Sequence, residues 1–413
     1  MARLCVSIPV HEQLPVVVDQ LDNFRAFLPP DTVIVIHLAA GFSDPVRMQT
    51  ILPEGIYANP VSLPTRWGNV MDQHAANFRF ASEIEEFDYF VLHASNDAFF
   101  AKGAERYLSG VDALVQRYPI DPSRNSPELE QLARTIGAER IYNSQVEGTA
   151  YRKDLFAEMV ELVERHWRPN PAAIHAPEEW WYPTIAHTLT GSTRPPYVYC
   201  ETHRHVTKHE PTPALLRALR DGRYAEEVRD DDQYLSVSED YQENDFNHVF
   251  AVKRVPRVWD DPLRTYVRSL SREAGPRLRL RAPVDVPPFV AVGFAEEALA
   301  RPELLKGYRE AFSAGDGATL ILWVPQDARA PGIEPRLVDA CERAGLMEPG
   351  APDVTGLVLP VAAESELLLA GIADVYCGAE LPAGPFSELI HVKPEHTRRL
   401  RRLAELAAKA PPA

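Results

Sequence analysis

The chain has 413 residues, of which 45% are hydrophobic and 25% are charged, and its formal net charge at pH 7 is −16. That length exceeds what one ordinary hydrophobic core accommodates, so we expect two domains. The acidic balance argues against a protein that binds nucleic acid, because a net negative surface repels the phosphate backbone.

The cysteines and the apolar segments indicate the expected cellular setting. Four cysteines lie far apart, at positions 5, 200, 341 and 377, and no CxxC pair occurs. We therefore expect free thiols in a reducing compartment rather than disulfides or a zinc knuckle. The apolar run Leu4–Val10 is too short for a signal sequence, and no window holds ~20 apolar residues. These features favour a cytoplasmic protein without a transmembrane span, and a homo-oligomer is compatible with them.

The first hundred residues alternate between apolar runs and segments with helical spacing. Strands are predicted at 4–10, 32–38 and 87–93, with helices at 14–27 and 71–84. This alternation predicts a doubly wound α/β sheet. In such sheets ligands bind where the parallel strands end, so we expect the loops after Val10, Leu38 and His93 to line a site.

A second α/β pattern begins after residues 271–288, which mix arginine, proline and glycine and predict a domain boundary. We thus predict domains at 1–275 and 285–413, the second one small and Rossmann-like. It contains neither GxGxxG nor a GxxxxGKS/T motif, so no motif indicates phosphate binding there. Its strands are expected at 289–294, 319–324, 356–361 and, as the last one, 373–377, with helices at 302–312, 334–344 and 364–370.

Four segments, taken in order, resemble the core-2/I-branching glycosyltransferase family. The resemblance covers about residues 3–260. It implies a GT-A-like doubly wound mixed sheet, with the smaller Rossmann-like domain outside it as an accessory domain. The matched segments are Ser7–His11 with Val35–Leu38, Trp67–Val70 with Asp88–Asp97, Pro177–Ile185, and Phe250–Lys253.

The resemblance implies an inverting enzyme that moves a sugar from a nucleotide diphosphate sugar to an acceptor hydroxyl. N-acetylglucosamine from a UDP donor is the family's most common case. The acceptor stays open among glycans, lipid-linked molecules and small molecules, and neither a cofactor nor a metal ion is implied. The family carries an aspartate after its second strand, where this chain has Ala39 and Ala40, so the nucleoside stays open as well.

Such a transfer needs a base for the acceptor proton and a positive charge for the leaving diphosphate. The resemblance implies that Glu179 is the base and that Lys253 contacts the diphosphate. A second cation is expected, and Arg204, Lys208 and Arg254 are the alternatives.

The remaining candidates follow from their positions in or near the matched segments. Glu147 lies in a segment, 144–148, that resembles the family's acceptor loop but lacks its tryptophan. The residues expected on the donor side are Val10, His11, His37, Asp97 and Arg204. The residues expected on the acceptor side are Trp67, Ser95, Asn96, Glu147, Trp180 and Trp181.

Two other functions stay open. Asp97 stands where metal-using GT-A enzymes carry two carboxylates, so a metal-dependent transferase or nucleotidyltransferase is one alternative. A non-catalytic protein that binds nucleotide sugars or glycans is the other. A histidine cluster at 203, 205 and 209 has no cysteine or acid at ligand spacing, which favours loop histidines over a zinc site.

Overall fold

A computed structural model describes residues 2–11, 14–42, 45–65, 70–116, 118–119, 127–166, 176–199, 211–221, 248–281, 288–326, 330–359, 363–396 and 399–407. The chain divides into two compact units, Met1–Leu278 and Arg279–Ala413, here called unit 1 and unit 2. Within the described ranges no helix has the length and apolar composition needed to cross a membrane.

Unit 1 contains a large mixed sheet, a small sheet and a two-stranded ribbon, all combined with helices. Its strands are β1 (Leu4–Val10), β2 (Val33–Leu38), β3 (Ile56–Ala58), β4 (Tyr89–Leu92), β5 (Ala98–Phe99), β6 (Ala113–Leu114), β7 (Tyr118–Pro119), β8 (Tyr142–Asn143), β9 (Ala150–Arg152), β10 (Thr193–Arg194), β11 (Val198–Tyr199) and β12 (Ala251–Val252). Its helices are α1 (Leu14–Phe27), α2 (Pro45–Ile51), α3 (Met71–Ile84), α4 (Ala104–Leu108), α5 (Pro127–Ile136), α6 (Lys153–His166), α7 (Glu178–Leu189), α8 (Pro213–Arg220) and α9 (Pro262–Ala274).

The large sheet has the strand order β10–β6–β9–β4–β1–β2–β3. Strands β3, β2, β1 and β4 are parallel, whereas β9 is antiparallel to β4. Every residue of β1 and β2 is buried, and successive side chains of a strand point to opposite faces, so both faces of the sheet are covered. The predicted α/β sheet is confirmed, together with the strands and helices predicted in the first hundred residues.

The small sheet, in the order β11–β12–β5, determines which loops meet at the candidate site. Strand β12 is antiparallel to β5 and pairs Val252 with Ala98. Lys253, which follows β12, therefore lies beside Asp97, which precedes β5. On the other side of β12, β11 runs parallel to it. Tyr197 immediately precedes β11, and its ring packs on the ring of Phe99 with the centroids 5.8 Å apart.

Ion pairs connect the last helix of unit 1 to its first helix. Nη1 of Arg264 on α9 lies 2.6 Å from Oδ2 of Asp19 on α1, and both side chains are buried. Arg272, also on α9, pairs with Asp22 on α1. Loss of one partner of a buried ion pair leaves an uncompensated charge, so these contacts fix α9 to the rest of unit 1.

Unit 2 is a parallel sheet in the order β15–β14–β13–β16–β17, flanked by helices. The predicted strands and helices are present with shifted bounds, with one correction and one additional helix. The strand at 375–377 is not the last, and a helix follows the first strand directly. The strands are β13 (Phe289–Phe294), β14 (Ala318–Pro325), β15 (Asp353–Leu359), β16 (Val375–Cys377) and β17 (Ile390–Val392). The helices are α10 (Ala295–Ala300), α11 (Glu303–Ala311), α12 (Ala330–Arg343), α13 (Ala363–Ile372) and α14 (Arg399–Ala407).

Three of the four cysteines are buried free thiols. Cys5 lies in β1 of unit 1, whereas Cys341 and Cys377 lie in α12 and β16 of unit 2. Cys200 is outside the described residues. Each unit thus contains at least one thiol in its own core.

Candidate functional site

Hydrogen bonds connect the four segments of the sequence resemblance at one end of the large sheet. The N–H of His93, which follows β4, donates to the carbonyl of Ser7 in β1 at 3.0 Å. The N–H of Val70 donates to a carboxylate oxygen of Glu178 at 3.3 Å. Val252, in the segment Phe250–Lys253, pairs antiparallel with Ala98, which directly follows Asp97. Segments that are up to about 250 residues apart in the chain therefore meet where the parallel strands end, which is the usual ligand edge of such a sheet.

An ion pair joins two of the predicted residues in this region. Nζ of Lys253 lies 2.5 Å from Oε1 of Glu147, and the side chains are 19% and 8% exposed. The loop that carries Glu147 is held by its backbone, because Gly148 adopts a φ of +76° and its N–H donates to the carbonyl of Leu92 at 2.9 Å. The side-chain amide of Gln145 also donates to the Glu147 carbonyl at 2.7 Å. The cation expected to contact a diphosphate is thus paired with a carboxylate whose loop is held by hydrogen bonds.

Asp97 is the second acidic group beside Lys253. Its Oδ2 lies 2.9 Å from Nδ1 of His93 and accepts from the N–H of Ala94 at 2.9 Å. Its Oδ1 is buried and has no hydrogen-bond partner within the described part of the chain. Burial raises the pKa of Asp97, whereas the hydrogen bond from His93 opposes that effect. The site therefore holds a carboxylate oxygen with unused capacity to accept a hydrogen bond.

The first turn of α7 carries the two glutamates of the candidate base motif. It follows Ala176, whose φ of +52° is uncommon for a residue with a side chain. Glu178 is buried at 4% exposure, and burial raises its pKa to about 8. Glu179 is half-buried, and its carbonyl accepts from the N–H of Ser144 at 2.9 Å. At neutral pH Glu178 is therefore mostly protonated, and of the two glutamates Glu179 has the more accessible side chain.

Two of the predicted ligand contacts, Trp181 and His37, are buried. Trp181 is 1% exposed and belongs to the hydrophobic core cluster around α3, α6 and α7, so its ring is core rather than a platform for a sugar. His37 is fully buried, and its Nε2 accepts from the N–H of Leu63 at 2.9 Å. Burial also lowers the pKa of His37 to about 4, so the ring is neutral and offers no charge to a diphosphate. Trp180 is half-buried and packs against the same cluster.

The remaining predicted residues differ in their exposure to solvent. Val10 is buried at the end of β1, where its carbonyl accepts from the N–H of Ala39 at 2.8 Å, and His11 beyond it is exposed. Ser95 is buried and Asn96 half-buried. Arg254 is exposed, with a φ of +67°. Trp67, Arg204, Lys208 and the histidines at 203, 205 and 209 lie outside the described residues.

Sequence reasoning assigned no role to three buried polar residues at the site. His93 bridges Asp97 and the Tyr197 hydroxyl, which lies 2.8 Å from its Nε2. His74 on α3 lies 2.8 Å from Oγ of Ser7 through Nδ1, and burial lowers the pKa of His74 to about 3. The position of His93 at the end of a predicted strand could have indicated its role. No sequence feature near Tyr197 indicates a role for that residue. Among the residues that can be described, no group of three or more His, Cys, Asp or Glu side chains is arranged to hold a metal ion.

No protein-family model matches the sequence, and no curated protein matches it. Among solved structures, the glycosyltransferase GlyE of Streptococcus pneumoniae TIGR4 aligns with 91% of this chain and 85% of its own, at 8% identity and a TM-score of 0.29. The galactosyltransferase LgtC, solved with donor and acceptor sugar analogs, aligns with 65% of this chain and 95% of its own, at 13% identity and a TM-score of 0.33. TarS of S. aureus, solved with UDP, aligns with 38% of this chain and 48% of its own, at 12% identity and a TM-score of 0.24. At these TM-scores the functional argument depends on the residues of this chain.

Proposed function

We propose that unit 1 is a glycosyltransferase that uses a nucleotide diphosphate sugar and has a GT-A-like catalytic sheet. The observation that carries the proposal is the meeting of the matched segments at one end of the large sheet. Lys253 lies there beside Asp97 and pairs with Glu147, and the Glu178–Glu179 turn is hydrogen-bonded to Val70 and Ser144. Transfer to a hydroxyl requires a positive charge for the leaving group and an accessible base, which the partly buried Lys253 and the accessible Glu179 supply in this proposal. Unit 2, which lies outside the resemblance, is proposed to be an accessory domain.

In the proposed reaction Glu179 takes the proton of the acceptor hydroxyl. The oxygen of that hydroxyl bonds at the same time to the anomeric carbon of the donor. The bond from that carbon to the diphosphate breaks on the opposite face, and the diphosphate leaves with the electron pair. Lys253 stabilises the growing negative charge, and Asp97 accepts a hydrogen bond from a hydroxyl of the donor. Because the carbon is attacked opposite to the leaving group, its configuration inverts.

The identity of the donor is proposed from the resemblance alone, with UDP-N-acetylglucosamine as the first compound to test. A thermal-shift panel of nucleotide diphosphate sugars will identify the donor, because a bound ligand raises the melting temperature.

We propose that the protein supplies the positive charge through Lys253 and that activity persists in excess EDTA. Complete loss of activity that Mn²⁺ restores would favour the metal-dependent alternative with Asp97 as a ligand.

Glu179→Gln is the sharpest test of the proposed reaction. Glutamine keeps the shape and polarity of the side chain but cannot take a proton. We expect the turnover number to fall roughly 10²- to 10⁴-fold, the usual contribution of a general base, with donor affinity by calorimetry unchanged. The measurement is transfer or, without an acceptor, hydrolysis of the donor identified by the panel.

Glu178→Gln is the matched control for this variant. We expect a much smaller loss of rate, because Glu178 is buried and mostly protonated at neutral pH. Full activity of Glu179→Gln, or a product that retains the configuration of the donor, would contradict both the assignment and the inverting mechanism.

A further inference from the structure

We propose that Tyr197 and His93 form a positioning pair that fixes the Asp97 carboxylate as an acceptor for a hydroxyl of the sugar nucleotide. This inference rests on the proposed function and adds two residues to which the sequence resemblance assigns no role. Tyr197, His93 and Asp97 are 0%, 0% and 2% exposed. Neither Tyr197 nor His93 is proposed to touch the ligand, so both act through Asp97.

The hydrogen bonds of the three side chains run in one direction. Nδ1 of His93 lies 2.9 Å from Oδ2 of Asp97, and Nε2 lies 2.8 Å from the Tyr197 hydroxyl. With Asp97 ionised, the carboxylate only accepts hydrogen bonds, so Nδ1 carries the proton and Nε2 accepts from the tyrosine. The N–H of Ala94 also donates to Oδ2 at 2.9 Å. Both donors thus act on one oxygen of Asp97 and leave the other, Oδ1, to a ligand.

The imidazole ring of His93 is fixed by aromatic packing. Its centroid lies 4.9 Å from that of Phe24 in an edge-to-face arrangement, 5.4 Å from that of Phe99 and 5.7 Å from that of Tyr197. Phe24 belongs to α1, Phe99 to β5, and Tyr197 precedes β11, so three separate elements hold the ring. A rotation of the ring would break both of its hydrogen bonds at once.

The chemistry of Asp97 indicates which part of a sugar nucleotide it can accept. A carboxylate repels a diphosphate, which the proposal assigns to the neighbouring Lys253, so the group that meets Oδ1 must be a donor. A buried carboxylate oxygen without a partner is costly, and a hydroxyl of the ribose or of the transferred sugar would satisfy it. The side chain of Asp97 is closed to solvent, so a covering group must move before the ligand reaches it.

The test compares UDP with UDP-N-acetylglucosamine by calorimetry on the full chain. His93→Ala removes the hydrogen bond to Asp97, whereas His93→Asn retains an N–H donor near the position of Nδ1. Tyr197→Phe removes only the hydroxyl. We expect His93→Ala to weaken binding roughly 10- to 100-fold, as for a hydrogen bond to a charged group, His93→Asn to restore most of the affinity, and Tyr197→Phe to be intermediate.

The two ligands distinguish the source of the hydroxyl. A loss confined to UDP-N-acetylglucosamine assigns Asp97 to the transferred sugar, and an equal loss for UDP assigns it to the ribose. Tyr89→Phe is the control, since the buried Tyr89 hydroxyl donates to the Val111 carbonyl at 2.7 Å, at the opposite end of β4 from His93. It should lower the melting temperature without changing affinity. Wild-type affinity in folded His93→Ala and Tyr197→Phe would overturn the inference alone, whereas a wild-type chain that binds no nucleotide sugar would overturn the proposed function.

Discussion

At the scale of single residues, Glu147 competes with the diphosphate of the proposed substrate for Lys253. A diphosphate that binds Lys253 has to share it with a carboxylate that lies 2.5 Å away. Glu147→Gln removes the competing negative charge, so we expect UDP to bind about tenfold more tightly, measured by calorimetry. Such a gain corresponds to about 1.4 kcal/mol, which is modest for a partly buried charge pair.

The control for this prediction is Glu86→Gln. Glu86 pairs with Lys153 at 3.1 Å, but its side chain is 91% exposed and the pair lies at the opposite end of β4 from His93. We expect no change in UDP affinity there. Weaker UDP binding in Glu147→Gln would mean that the glutamate helps to hold Lys253 in position, so the pair would be cooperative rather than competing.

The buried Glu178 should make the free energy of unfolding depend on pH. Burial raises its pKa from the ordinary 4.5 to about 8 in the folded chain, so the unfolded chain releases this proton at lower pH. The contribution of Glu178 to stability is complete below pH 4.5 and is lost as the pH rises towards 8. At pH 9 the free energy of unfolding of Glu178→Gln, measured by urea unfolding, should therefore exceed that of the wild type by up to about 5 kcal/mol. The difference at pH 4, measured in the same way, should be much smaller.

The position of Glu178 was predictable in part. Residues 178, 181, 182 and 185 share one face of α7 by helical spacing, and all four are buried. That periodicity places Trp181 in the core and Glu178 beside it, while Glu179 points elsewhere. The helical periodicity thus favours a core position for Trp181 over the predicted ligand contact.

At the scale of elements, the small sheet carries the site, but hydrophobic periodicity does not predict its strands. The strands β5, β11 and β12 have two residues each, too short for any hydrophobic period to appear. The long strands β1, β2 and β14 were predictable because they are continuous apolar runs. The pairing of Lys253 with Glu147 depends on tertiary register, which a sequence alone does not contain.

A substitution at Gly148 tests how tightly the loop that carries Glu147 is packed. Its φ is +76°, and an added Cβ would lie 2.5 Å from Cγ2 of Val198 in β11. Gly148→Ala should therefore lower the free energy of unfolding by roughly 2–4 kcal/mol, through backbone strain and overpacking together. Gly41→Ala is the control, because Gly41 has a similar φ of +83° with nothing within 4 Å of an added Cβ. Equal losses in urea unfolding would show that the contact with Val198 is unimportant.

At the scale of the whole molecule, every residue of the proposed site belongs to unit 1. The ion pairs of α9 with Asp19 and Asp22 complete that unit before Leu278. We expect a chain that ends at Leu278 to bind UDP within about threefold of the full chain, since it keeps its own core and all the groups of the site. A truncated chain with native circular dichroism but no UDP binding would show that unit 2 contributes to the site.

The buried cysteines have a practical consequence for such experiments. Burial raises the pKa of Cys5, Cys341 and Cys377, the last to about 12, and only the thiolate reacts readily with alkylating reagents. Labelling of these thiols should therefore be slow in the native protein and follow local opening. Because Cys5 lies in one unit and Cys341 and Cys377 in the other, mass spectrometry of the labelled peptides would time the opening of each unit separately, with no introduced probe.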